Sequence, residues 1–230
     1  MSLLKVNIEN ISINNSTRFE IIKRAKFDLK SNTIYSIFGS NGAGKTTLLL
    51  SLANLLNKNL ISIKGEVIIN SQNILGMNES DIFLLRQNFF QYIFQSPSAS
   101  FDPLKKLNFY FYLVKNQKLF KSLLTESLLP DIDILGKKHI YEISEGQAQR
   151  LMVCIAIANE PKFLILDEPT SSLDILNIQI LKKLLNNFLN PSNAILFVSH
   201  DKSFIKETAQ QVAILKDSIV SEFFPVEQFT

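Results

Sequence analysis

The chain has 230 residues, 46% of them hydrophobic and 20% charged, with a net charge of only +3. That is enough for one large core with a helical satellite and too little for two independent enzyme domains, and its polarity is that of an ordinary soluble globular protein. No basic stripe marks a nucleic-acid footprint, the single Cys154 excludes an intrachain disulfide, and no apolar run reaches membrane-span length. The opening Met1-to-Asn7 run is interrupted too early by polar residues to be a signal peptide, so a cytoplasmic protein with no nucleic-acid partner is expected.

In chain order, residues 2–8, 19–29 and 61–69 are predicted strands. The first and last carry apolar residues at two-residue spacing, Leu4, Val6 and Ile8, then Ile61 and Ile63 followed by Val67 and Ile69. Lys64-Gly65 interrupts the last run as a turn or bulge. These segments are expected to form an antiparallel patch beside a parallel sheet. Thr33 to Phe38 is a short β-branched and aromatic run that predicts a buried strand.

Directly after it stands Gly39-Ser40-Asn41-Gly42-Ala43-Gly44-Lys45-Thr46-Thr47, which fits the G-x-x-x-x-G-K-[ST] phosphate loop without a gap. A polyphosphate is held there by successive backbone N–H groups at the positive end of a helix, and side chains on the glycines would block that approach. Lys45 is placed to reach the β- and γ-phosphates and the Thr46 hydroxyl to ligate Mg²⁺. The Leu-rich stretch 47–56 is the helix that the loop opens.

Further on, 81–91 predicts a short helix leading into Tyr92-Ile93-Phe94-Gln95, ended by Ser96-Pro97. Spacing is helical from Leu104 to Leu129, with aromatic residues at Phe109, Tyr110, Phe111, Tyr112 and Phe120. This group is core of a helical subdomain or, alternatively, a groove wall for a helix of a membrane partner. Residues 147–159 make a helix apolar on most faces; strands follow at 163–166, 194–198 and 212–215, with helices at 173–189 and 202–210 between them. The fold expected is α/β, a P-loop ATPase core with a mostly parallel sheet, an antiparallel β patch and an inserted helical subdomain. All of 1–230 is read as one domain, with 1–95 and 160–230 forming the catalytic core and about 96–159 the helical subdomain.

In open α/β sheets ligands bind at the carboxyl ends of the strands. Asp167 ends a run of four apolar residues and suits a Mg²⁺ ligand, while Glu168, one residue on, suits orienting or deprotonating the attacking water. His200 ends the next strand; alone it could equally cap the following helix. His139 sits in no motif and reads as a surface residue.

Taken together these residues resemble the nucleotide-binding subunit of an ATP-binding cassette (ABC) transporter over nearly the whole chain. The ordered motifs are the phosphate loop 39–46, Gln95 as a glutamine loop, the signature Ile143-Ser144-Glu145-Gly146-Gln147, the Asp167-Glu168 pair, Ser171-Ser172-Leu173-Asp174 and His200. The resemblance implies a head-to-tail dimer of two such subunits, the second the same or a different chain, with two ATP molecules sandwiched between them. Each ATP would lie on one phosphate loop and be closed by the other subunit's Ser144, Gly146 and Gln147. It implies Glu168 as the base for water, His200 as the holder of γ-phosphate and water, Gln95 as a Mg²⁺ contact that senses the transport partner, and Asp174 as the coupling between sites. The chain would then lie peripherally on the inner face of the cell membrane, bound to permease subunits that it drives. Phe94 to Pro103 is similar to the glutamine-loop region of importers of di- and oligopeptides and nickel. The alternative is a soluble ABC ATPase acting on nucleic acid or the translation machinery, and a weaker one is a regulatory subunit that scarcely hydrolyses ATP.

Three departures stand out. Glu145 replaces a signature glycine and puts a carboxylate near the γ-phosphate, which suits a heterodimer with one weak site. No aromatic residue falls clearly at the adenine-stacking position, where Phe19 is the nearest candidate and simple alignment lands on Ser16 or Thr17. Lys216-Asp217-Ser218 stands where a glycine turn is common.

Overall fold

The computed structural model describes residues 2–14, 19–171 and 173–230, so Ser16, Thr17 and Ser172 lie outside the described residues. Among those described, strands form two sheets, one antiparallel and one mostly parallel. In β1 (Ser2–Ile13), Leu4, Val6 and Ile8 are buried while Lys5, Asn7 and Glu9 are exposed, the alternation of a strand with one covered face. It pairs antiparallel with β2 (Phe19–Ile22), β3 (Ala25–Lys30) and β5 (Ile61–Ile69), and β6 (Gln72–Asn73) extends the sheet beyond β5.

One prediction is corrected here and another is narrowed. The strand expected over 19–29 is two strands, because β2 pairs with the far half of β1 around Ile11–Ile13 and β3 with its near half. Between them Lys23 and Arg24 donate their backbone N–H groups to the Ser218 carbonyl rather than to β1. At Lys64-Gly65 the β5 strand continues without a turn, and the irregularity is a bulge carried by β1, where Glu9 is the extra residue between Ile8 and Asn10. Gly65 has φ +126°, and a Cβ there would sit 2.2 Å from the Asn7 carbonyl oxygen, so no other residue fits beneath the bulge.

The second sheet carries β4 (Thr33–Phe38), β7 (Phe90–Ile93), β8 (Phe163–Asp167), β9 (Ala194–Ser199) and β10 (Gln211–Lys216) in the parallel order β10-β4-β9-β8-β7. Antiparallel β11 (Ile219–Val220) and β12 (Phe224–Pro225) pair with β10. Both faces are covered, which is why these strands are continuous apolar runs in sequence. Along β8, Phe163 and Ile165 pack with Tyr35, Ile37, Leu196, Val198 and the antiparallel sheet, while Leu164 and Leu166 pack with Ile34, Ile195, Phe197 and the helices of the other side.

Helices are α1 (Lys45–Leu52), α2 (Glu79–Phe89), α3 (Asn108–Phe111), α4 (Gln117–Glu126), α5 (Ile132–Leu135), α6 (Glu145–Ala158), α7 (Ile175–Phe188) and α8 (Lys202–Thr208). The predicted helix 81–91 starts earlier, with Asn78 accepting the Asp81 N–H, and yields its end to the edge strand β7 because Phe90 and Ile93 pair with β8. The helical stretch 104–129 is broken. Asn116 caps α4 through the Leu119 N–H, and the Gln117 amide donates back to the Phe111 and Val114 carbonyls, so local side chains end one helix and start the next. The aromatic group divides accordingly: Phe111 and Phe120 are buried edge-to-face at 5.1 Å, whereas Tyr112 is 82% exposed and Phe109 half exposed.

Candidate functional site

Three adjacent parallel strands, β4, β9 and β8, end at the same side of the sheet, and their termini carry the phosphate loop, Ser199-His200 and Asp167-Glu168. The loop closes on α1 with Gly44 as its N-cap at φ +97°, and a Cβ there would meet Ile21 Cγ2 at 2.8 Å. Ser40, Asn41, Gly42 and Thr46 are exposed, Ala43 and Thr47 are half-buried, and Gly39 is buried against Leu215.

Lys45 is only 6% exposed and its ammonium is fully engaged. Nζ donates to the Gly39 carbonyl at 2.7 Å and the Ser40 carbonyl at 3.1 Å, and pairs with Glu168 Oε1 at 2.9 Å. The other Glu168 oxygen accepts from His200, from Nδ1 at 2.9 Å and from its backbone N–H at 3.3 Å. Glu168 holds this position in the left-handed region, φ +45°, with its N–H on the Val198 carbonyl at 3.1 Å. Such strain in a non-glycine residue persists only where the surroundings over-determine it, here through a buried ion pair and two strand ends. Breaking a buried pair of this kind by removing one partner costs about 3–5 kcal/mol.

Asp167 is 2% exposed. Burial pushes its carboxyl above the usual carboxylate range; the Thr46 hydroxyl pulls it back down, the Glu168 charge raises it further, and Tyr92 and Lys45 lower it. Its Oδ1 makes no hydrogen bond of ordinary geometry, while Tyr92 donates to Oδ2 at 3.4 Å. Burial and the Asp167 charge in turn raise the Tyr92 phenol above its ordinary value. A buried, desolvated carboxylate oxygen without a donor, next to a hydroxyl at a helix start, is a donor set that fits Mg²⁺, which takes one or two carboxylates and completes its shell with water and phosphate oxygens. Tyr92 was not among the residues expected in the site. Only the register of β7 on β8, Tyr92 opposite Ile165, brings it there.

Gln95 is exposed two residues beyond the end of β7, at the same end of the sheet as Asp167. The remaining expected residues lie elsewhere. Ser144 caps α6 in a reciprocal box, its Oγ accepting the Gln147 N–H at 3.2 Å and its N–H donating to Gln147 Oε1 at 3.0 Å. Asp174 caps α7, with Oδ1 accepting the Asn177 N–H at 2.8 Å. Ser144, Glu145 and Asp174 are exposed, Gly146 is buried against Asn177, and among the described residues none of these shares a hydrogen bond or ion pair with the phosphate loop.

Beside the loop, Phe19, Phe38, Gly39, Ala43, Lys216 and Asp217 line a cleft of about 560 Å³. The Lys216-Asp217-Ser218 turn does without glycine: Asp217 and Ser218 themselves take φ +52° and +64°, closing the hairpin in which Lys216 pairs with Ile219.

Comparison with known proteins agrees with this geometry. Residues 22–171 match the ABC transporter family. The chain is similar to the dipeptide transport ATP-binding protein DppD of Lactococcus lactis subsp. cremoris, 27% identical with 97% of this chain and 68% of that protein covered. It is also similar to a putative ABC transporter ATP-binding protein of Pyrococcus abyssi, 30% identical with 91% and 79% covered, and to the oligopeptide transport ATP-binding protein OppD of Lactococcus lactis subsp. cremoris, 28% identical, of which it spans 62%. Among solved structures, cbiO1 from Clostridium perfringens, part of the ABC transporter complex cbiONQ, superposes with TM-score 0.78 at 24% identity over 99% of this chain and 90% of that one. The dimeric ATP-binding cassette MJ0796 bound to ADP and phosphate superposes with TM-score 0.77 at 22% identity over 98% and 100%, which is likeness of fold. With a phosphate loop and a buried Lys45–Glu168 pair at the strand ends, and residues 22–171 matching the family, the chain belongs to the ABC transporter family, as an ATP-binding cassette of the ATPase type.

Proposed function

We propose that this chain binds Mg·ATP on the 39–47 loop and hydrolyses it in a head-to-tail dimer, driving permease subunits that import a peptide or nickel-type substrate. The observation that carries the reading is the convergence of Lys45, Glu168 and His200 within hydrogen-bonding distance at the ends of β4, β8 and β9. Phosphate oxygens take over the Lys45 ammonium and so free the Glu168 carboxylate, which accepts a proton from water as its oxygen attacks the γ-phosphorus and the bond to the β–γ bridging oxygen breaks. His200, half exposed at the site's edge, holds the water and γ-phosphate in line. Asp167 and Thr46 would hold Mg²⁺, which when bound neutralises charge on the β- and γ-phosphates; Gln95 adds a contact from the end of β7. The Phe19 cleft takes the nucleobase.

Ser144, Gly146, Gln147 and Asp174 act on the ATP of the partner subunit, which is consistent with the exposure of Ser144 and Asp174 at helix starts away from their own loop. The exposed Leu104, Phe109, Tyr112 and Leu113, clustered after Gln95 in the chain, suit an apolar helix of a permease on the inner face of the membrane. Peptide import rests on the names of the relatives, DppD and OppD, of whose length the chain spans about two thirds. Gentle solubilisation of membranes from the native host with this chain tagged tests the whole reading. Co-purification of a multi-span permease supports it; recovery only from the soluble fraction with ribosomes or nucleic acid overturns it in favour of a non-transport ATPase.

A further inference from the structure

Lys202, the first residue of α8, makes contacts that neither the phosphate site nor the helix caps use. Its ammonium lies over two rings, 5.7 Å from the centroid of Phe38 and 5.7 Å from that of Phe229, and donates to the Thr230 main-chain oxygen at 2.9 Å. The two rings meet edge to face with centroids 5.2 Å apart, and Phe229 is buried. A cation within about 6 Å of an aromatic face is attracted by the ring quadrupole, and here that happens twice. The segment that brings Phe229 there is itself anchored: the Val226 N–H donates to the Gln210 carbonyl and the Phe229 N–H to the Val226 carbonyl, both at 3.0 Å. The place of this clamp in the chain gives it a consequence. Phe38 ends β4 and directly precedes Gly39, while Lys202 follows His200 by two residues, so the clamp ties the root of the phosphate loop to the turn that carries His200.

Within that turn the Asp201 N–H donates to Ser199 Oγ at 3.0 Å, and Asp201 Oδ1 caps α8 by accepting the Phe204 N–H at 3.1 Å. The hydrogen bonds of His200 itself, from ring Nδ1 and backbone N–H, both go to Glu168 Oε2. Once that carboxylate turns to water, the place of the ring depends on its turn. We propose that Lys202 is a positioning residue for His200: clamped onto Phe38 and Phe229, it fixes the 199–202 turn against the root of the phosphate loop. The catalytic purpose rests on the role proposed above for His200, whereas the placement of the ring does not depend on ATP.

The test uses the full chain with Lys202→Met, Lys202→Arg and Phe229→Leu. The chain has two histidines, so His200→Ala assigns their ring Cε1–H resonances and His139 serves as internal control. Without nucleotide, the His200 resonance moves or broadens in K202M and in F229L while that of His139 stays; K202R, which keeps a cation over the rings, reverses at least half of the change. In steady-state hydrolysis K202M lowers kcat about three- to tenfold with KM for ATP within about twofold, K202R recovers at least half of the loss, and on a His200→Ala background K202M adds less than about 1.5-fold. An unmoved His200 resonance or an unchanged kcat in K202M overturns the proposal. A shift in K202M with none in F229L marks the lost charge alone and also overturns it, as does a kcat loss equally large on the His200→Ala background. Where His200→Ala leaves no turnover to measure, the resonance decides. Should F229L fail to fold, the K202M spectrum at about pH 9, where an imidazole is neutral, takes its place: a shift there supports the proposal and none overturns it. A chain that does not hydrolyse ATP while the His200 resonance still follows the clamp removes the catalytic reading and leaves the placement standing.

Discussion

The two halves of the candidate site are built on opposite principles. At the strand ends, charges are buried and already satisfied by one another: Lys45 and Glu168 are 6% and 7% exposed and paired, and His200 closes the second carboxylate oxygen. At the helix starts, Ser144, Glu145 and Asp174 face solvent, and among the described residues the side chains of the caps Ser144 and Asp174 hydrogen-bond within their own first turns. The first half is preorganised in a low-dielectric setting, where each interaction counts for most. The second presents its caps to solvent and gains an effect only from what is brought to it, as the proposed contribution in trans requires.

Substitutions should separate these halves. The largest effect is expected from Glu168→Gln, which leaves the hydrogen bond to His200 possible but removes the base; turnover should fall about 10²–10⁴-fold while ATP still binds, measured by phosphate release and nucleotide binding in parallel. Retained turnover would move the base to another residue and break the contrast. Lys45→Ala should weaken ATP binding about 100-fold by titration calorimetry, since a charge-assisted contact to phosphate is lost. Unchanged affinity would remove the phosphate loop from the first half.

Asp167→Asn should raise the Mg²⁺ concentration needed for half-maximal turnover at least about tenfold. It also tests the electrostatics. Because Asp167 has a raised pKa in the fold, the native chain holds its proton where the unfolded chain has lost it, so this group lowers stability as pH rises through that window and the penalty is complete above the folded pKa. The Asn variant should therefore melt higher than the wild type at neutral pH, with the gap shrinking as pH falls; a gap that grows on acidification would mean that Asp167 is stabilised as the anion.

Smaller effects belong to the second half. Glu145→Gly removes a carboxylate beside the α6 N-terminus and should raise turnover about two- to fivefold if that end meets the partner's phosphate. No change would show that Glu145 points away from the nucleotide. Ser144→Ala should cost about 1 kcal/mol through the lost cap, lowering the melting temperature by about 2–4 °C. A drop in turnover beyond that proportion sharpens the distinction between a cap and a phosphate contact.

Much of the fold and the phosphate loop could be read directly from residue order. The loop, its flanking strand at Thr33–Phe38 and the apolar strands before Asp167 and His200 are local patterns with local causes: glycines where the backbone must approach phosphate, continuous apolar runs where both faces of a strand are covered. Where the reading went astray, a distant partner had decided. Lys23-Arg24 leaves the sheet to bond Ser218, Phe90 joins β7 because β8 is there to pair with, and the bulge opposite Gly65 sits on β1. Likewise Tyr92 reaches Asp167 only once β7 lies on β8. Motif spacing determined which groups the chain brings to a nucleotide, since those groups are arranged by backbone geometry over a few residues. Which of them pair, which are buried without partners and which stay exposed was decided by tertiary contact alone, because burial and pairing are properties of neighbours that the order of residues does not specify.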